Sequence, residues 1–268
     1  MSRSSFVRII GINLRESHIK KLSDLLIHLL EEFDEILIPL PNSLCRDLIE
    51  RSLGNENYDP LLALRYLNTS LERLWRPVIE RIFHLPKTPL FWGKAVYCYH
   101  RDDYIKSLEE TGLEISRLLI LANVYNKIDL DSWVSVYKKS INKRFITELM
   151  NQVSRERVAI IVSGYIEYEL AQISIGSAYV EKCVINELIP TPQDVMMLYL
   201  LRDIYDKDTL LKIVNWIIRY FNKIILSETF DDVYNYLSGD EYRSFLNEIG
   251  VKPIDHLCKD QISTNYSY

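Results

Sequence analysis

The chain has 268 residues, 48% of them hydrophobic and 26% charged, with a formal net charge of -5. That balance belongs to a folded globular protein with a sizeable core and excludes global disorder. A net acidic chain carries no overall basic footprint, so a nucleic-acid partner is not indicated by its charge.

In chain order, Phe6–Gly11 reads as a buried strand that ends on glycine. Ile19, Leu22, Leu25, Leu26, Leu29 and Leu30 then recur at helical spacing, with Ser17 as the expected N-cap. A second short strand follows over Asp34–Pro39, ended by Pro39 and Pro41, which cannot donate to a ladder. Asn42 can cap a helix that Gly54 terminates. Asp59-Pro60 starts a long helical region to about Phe83, with Pro77 expected to kink or split it. Lys94–Tyr99 is the third strand, because β-branched and aromatic residues cluster there. Helices are expected at Asp102–Val124 and Leu130–Val153, before a strand at Arg157–Val162 that runs into Ser163-Gly164. Another strand in Ser177–Leu188 would lie at the sheet edge.

Beyond Pro190 the pattern is helical throughout. Thr191-Pro192-Gln193-Asp194 is a helix start, and further helices span Asp208–Leu226, Phe230–Leu237 and Asp240–Ile249. The expected fold is therefore α/β: a small, mostly parallel sheet flanked by helices, with an all-helical C-terminal part. The expected division is an α/β domain over 1–190 with a helical insertion at about 59–153, a helical region over 191–250, and a tail over 251–268.

Cys45, Cys98, Cys183 and Cys258 are far apart and form no C-x-x-C pair. They read as isolated, buried thiols in a reducing compartment, which together with the absence of a secretory pattern gives a cytoplasmic expectation. The most apolar helix, Leu210–Leu226, is interrupted by Lys212, Arg219 and Lys223, so no membrane span is expected. Scarce glycine, 18 tyrosines and many isoleucines hint at a thermophilic source.

Ligands of parallel sheets bind outside the carboxyl ends of the strands, so Gly11 and Gly164 mark the expected pocket. The polar residues at its rim are Asn13, Arg15, Glu16, Arg144, Glu167 and Glu169, with His18 one turn into the first helix as the histidine nearest to it. Arg15 and Arg144 can clamp an anion, or Glu16 and Glu167 can serve a structural ion pair. Lys138, Lys139, Lys143 and Arg144 form a local basic stretch that reads as a solvated helix face. Phosphate-loop, dinucleotide and nucleophile-elbow motifs are all missing, and no histidine pair has metal-ligand spacing.

The two glycine junctions and the segment between them resemble the superfamily that groups TraB/PrgY-like proteins, haem-binding ChaN-like lipoproteins and erythromycin esterase-like hydrolases. That resemblance implies a Gly-x-x-His motif after the first strand, an acid before a proline after the second, an arginine-bearing helix, and a second Gly-x-x-His after a late strand. Here Leu14 stands at the first histidine position, Pro39 where the acid would fall, and Glu167 at the second histidine position. Arg144 matches the arginine, with Phe145 in place of its polar neighbour. Leucine and proline supply neither acid/base nor metal-binding groups, so the implied pocket is degenerate, with no catalytic set, metal or cofactor expected.

The leading expectation is a non-catalytic protein that binds a small ligand or a protein partner. Trp216, Tyr220 and Phe221 offer a face for self-association or for core packing. The alternatives are a divergent metal-dependent hydrolase using Glu16, His18 and Glu167, and a nucleotide-sensing domain admitting phosphates at Gly11 and Gly164.

Overall fold

A computed structural model describes residues 6–54, 69–142, 156–174, 179–204 and 206–258. The first unit is built on a five-stranded, all-parallel sheet of β1 (Phe6–Ile12), β2 (Glu35–Pro41), β3 (Ala95–His100), β4 (Arg157–Ser163) and β5 (Tyr179–Val184). Its spatial order is β3-β2-β4-β1-β5, which seats the late strand β4 between the two earliest ones. Strands covered on both faces read as continuous apolar runs, and β2 is buried at all seven positions. The helices of this unit are α1 (Glu16–Glu32), α2 (Asn42–Gly54), α3 (Thr69–His84) and α6 (Tyr165–Ser174). The step from β1 to β2 and the step from β4 to β5 run in opposite directions along the sheet. Right-handed crossovers therefore set α1 and α6 on opposite faces.

The second unit gathers α4 (Asp102–Tyr125) and α5 (Leu130–Asn142) with α7 (Pro192–Leu201), α8 (Lys207–Leu226), α9 (Phe230–Leu237) and α10 (Asp240–Glu248). The two compact units are Met1–Arg101, Ile146–Leu188 and Ile254–Tyr268 on one side, and Asp102–Phe145 with Ile189–Pro253 on the other. Thus the helical unit is assembled from two separate stretches of chain. Its helix starts are locally encoded: Thr191 with Asp194, and Thr229 with Asp232, form reciprocal capping boxes. The Asp206 side chain accepts from the Thr209 backbone N–H. Trp216 is core, packed against the rings of Tyr242 at 4.9 Å and Phe245 at 5.5 Å. Trp216 therefore serves packing, whereas Tyr220 is half-buried, its hydroxyl pushed above the usual phenol range by burial and the nearby Asp194.

Several local expectations change. α1 begins one residue before Ser17, because the Arg15 carbonyl accepts from the Ile19 N–H at 3.0 Å and closes the first turn. β2 continues through both prolines. Its ladder to β4 stops at Leu37 and its register with β3 shifts between Ile38 and Pro41, where a donor is missing. α3 runs unbroken through Pro77, whose carbonyl accepts the Ser23 hydroxyl at 2.9 Å. Expected helix at 59–68 and 143–153 lies outside the described residues.

The largest correction concerns the thiols. All four cysteines are paired, as Cys45–Cys98 between α2 and β3 and as Cys183–Cys258 between β5 and the returning chain end. Thiols far apart in sequence meet because strand order, not sequence spacing, sets their distance. Around Cys258 the chain lies along the end of β5, with Val184 N–H donating to the His256 carbonyl at 2.8 Å and Leu188 exchanging two bonds with Ile254. Disulfides persist in oxidising compartments and inside hyperthermophiles, so the cytoplasmic expectation loses the ground it stood on. Among the described residues no helix is long and apolar enough to cross a membrane.

Arg8 of β1 is a buried charge whose partners reach it from α1 and β5. Its guanidinium bonds Glu32 at 2.7 and 3.0 Å and Glu181 at 2.8 Å, and lies 5.0 Å from the Phe33 ring centre. Burial works against its charge, but the hydrogen bonds to Glu181 and Glu32 outweigh it and hold the pKa above the ordinary value.

Arg8→Ala leaves two carboxylates facing each other and should cost about 3 kcal/mol, toward the low end for a broken buried pair because both acids are a quarter to a third exposed. Urea unfolding measures it. Each disulfide closes a long loop, across sequence separations of 53 and 75 residues. Opening either one by a Cys→Ser pair should lower stability by about 4 kcal/mol in the chain-entropy account, a loss that added reductant reproduces in the parent chain.

Candidate functional site

The carboxyl end of the sheet is where chemistry-bearing groups meet. β1 and β4 are neighbours there, with Gly11 opposite Val162 and Ile12 opposite Ser163, so the two glycine junctions do share one sheet edge. β3 brings a group that the sequence reading placed outside the pocket. Its last residue, His100, is buried and lies level with Pro41 of β2. Across that strand the His100 Nε2 comes within 3.7 Å of Glu167 Oε1 on α6. The other carboxylate oxygen of Glu167 accepts from the Ser163 backbone N–H at 3.2 Å and from the Ser163 hydroxyl at 3.4 Å. The Tyr99 ring meets the His100 ring edge-on at 4.8 Å, while its hydroxyl donates to the Ile161 carbonyl of β4 at 2.9 Å.

Local sequence explains the placement of Glu167. It is the third residue of α6, a position from which a glutamate reaches back past the helix start, here to Ser163 at the end of β4. The carboxylate thus sits at the positive end of the helix dipole, where a bound anion would otherwise be favoured.

The two glycines differ in purpose. Gly164 has φ +130°, a conformation that side chains strain to adopt, and it lets β4 turn into α6 with open space where a Cβ would stand. Gly11 lies inside β1, and a Cβ there would fall 2.7 Å from the Tyr168 ring and 3.0 Å from Leu188. Its role is close packing beneath α6. Lys182 of β5 covers Tyr168, 4.2 Å from the ring centre and 3.6 Å from Glu169; burial lowers its pKa against the pull of that acid.

The remaining expected residues disperse. Asn13 ties the loop after β1 to the segment after β5, donating to the Glu187 carbonyl at 2.5 Å. Arg15 stands at the N-cap of α1 in extended backbone. Glu16 pairs with Arg73 of α3 at 3.7 Å, and His18 is buried within α1. Arg144 lies outside the described residues, as does Lys143. Among the described residues no three His, Cys, Asp or Glu side chains gather at metal-ligating distance, so Glu16, His18 and Glu167 do not form the set the hydrolase alternative needs. The missed residue is His100, whose only signal in the sequence was its place at the end of a predicted strand.

No family model, curated protein or solved structure matches this chain. Its superfamily resemblance stands on the short junction motifs alone.

A double-mutant cycle separates the two glycines. Gly11→Ala should cost about 1–3 kcal/mol through overpacking and be relieved by Tyr168→Leu. Gly164→Ala, a backbone effect of about 1–3 kcal/mol, should be untouched by that second change. Thermal or urea unfolding of the three single and two double variants reads both.

Proposed function

We propose that this chain is a non-catalytic α/β protein that binds a small polar ligand at the carboxyl ends of β1, β3 and β4, as a degenerate member of the TraB/PrgY, ChaN-like and erythromycin esterase-like superfamily. The observation that carries the reading is the buried pairing of His100 with Glu167 beside the open turn at Gly164. Both oxygens of Glu167 face protein groups, which suits a fixed recognition element better than a carboxylate that must exchange protons with a substrate. Its place on the α6 N-terminus also weighs against phosphate: an anion there would face a carboxylate rather than open N–H groups. Ligands with N–H or cationic groups fit this mouth better than nucleotides do.

The same pair lends the enzyme reading its support, since an imidazole beside a carboxylate is acid/base equipment. A thermophilic intracellular origin would reconcile two buried disulfides with a cytoplasmic site of action.

The test is a thermal-shift and calorimetric screen of the full chain against amines, amino acids, and mono- and cyclic nucleotides. The expected result is stabilisation by an amine or amino acid that His100→Ala and Glu167→Gln each weaken at least about tenfold. Saturable ester or peptide hydrolysis lost in Glu167→Gln would establish the enzyme reading instead, and stabilisation by nucleotides alone would reject the ligand class proposed.

A further inference from the structure

α4 is 24 residues long yet buries only Ile115, Leu118 and Leu119. On its outer face Leu113, Ile120 and Val124 are 73%, 56% and 68% exposed. Steps of seven and four residues return to one side of an α-helix, so the three form a single stripe. The side chains of Asn123 and Asn222 exchange hydrogen bonds of 3.0 and 3.2 Å, which joins the C-terminal end of α4 to that of α8. Ile225 and Leu226, the exposed end of α8, follow beside that pair. Summed, these five aliphatic side chains expose on the order of 600 Å², the upper end of the largest patch on an ordinary monomer and most of the roughly 800 Å² per partner of a standard interface.

The charges around the stripe are polarised along the helix. Asp102, Asp103, Glu109, Glu110 and Glu114 outnumber the one cation, Lys106, over residues 102–114, whereas Arg117, Lys127 and, on α8, Lys223 lie toward the other end; Glu114 also pairs with Lys139 of α5 at 3.6 Å. No acidic residue falls between Ile115 and Ile128. Asn126 takes φ +48° and the Lys127 N–H bonds the Leu121 carbonyl at 3.1 Å, a helix stop that keeps Lys127 against the end of α4.

We propose that α4 pairs antiparallel with α4 of a second copy of this chain, about a two-fold axis. In the register that sets Leu113 level with Val124 of the other copy, the two Ile120 side chains lie beside the axis. Glu110 is then level with Lys127 of the other copy. A parallel pairing would set acid against acid and like dipole ends together, so the charge pattern selects the antiparallel one. The interface is self-complementary and closed, which yields a dimer and not a filament. It is independent of the ligand site.

Sedimentation velocity on the full chain from about 1 to 100 µM tests it, the range in which a modest interface dissociates. The parent chain should dimerise, Ile120→Asp should raise the dissociation constant at least about tenfold, and Glu110→Lys should weaken the dimer while Glu110→Lys with Lys127→Glu restores it. Circular dichroism and the thermal midpoint confirm that Ile120→Asp stays folded, and Val124→Asp replaces it if it does not. A parent chain that is monomeric throughout, or a dimer whose dissociation constant neither aspartate variant changes, overturns the proposal.

Discussion

β4 is held on both edges by parallel ladders, to β1 along its whole length and to β2 over its first half, and the mouth of the α/β unit exists only because of that seat. Parallel pairing between strands this far apart in sequence carries a loop-closure cost before any contact rewards it. Val158, Ala159, Ile160, Ile161 and Val162 offset the cost, since all five are buried. Once β4 is in place, Ser163 and Gly164 stand beside Ile12, and the first turn of α6 carries Glu167 over the end of β2 toward His100.

Around that seat the unit is fastened by contacts of different kinds. Arg8 draws together the end of α1 and the edge strand β5 through Glu32 and Glu181. One disulfide ties α2 to β3 two residues before His100. The other fixes the returning chain end to β5, one residue before Val184, whose neighbour Ile185 donates to the Gly11 carbonyl. Both covalent links therefore lie next to strands that build the mouth, so the positions of His100 and Asn13 inherit their rigidity. The helical unit relies instead on an aromatic core around Trp216 and on side-chain caps at its helix starts.

Glu167 is the buried acid at the carboxyl end of this sheet. Its carboxylate lies in the first turn of α6 and turns back to the N–H and hydroxyl of Ser163 at the end of β4. The imidazole of His100 then completes the pair from a strand that belongs to neither junction motif. The result is a polar, buried pair assembled from sequence positions that share no local pattern.

Apolar runs such as Arg157–Val162, the helical spacing of Ile19 to Leu30, and the Thr191 and Asp194 start were legible because period, burial and capping are written in a few adjacent residues. The turn at Gly164 was legible for the same reason. Gly11 misled: a glycine at a strand end looks like a turn, and only the Tyr168 ring above it reveals a packing need. Nor does any short window encode which strand comes to lie between two others. Strand order decided that Cys45 meets Cys98, that Cys183 meets Cys258 and that His100 faces Glu167. Local residues determined what each element is. Which elements touch was left to the global burial of apolar surface, and so the chemistry of the mouth became visible only in the folded chain.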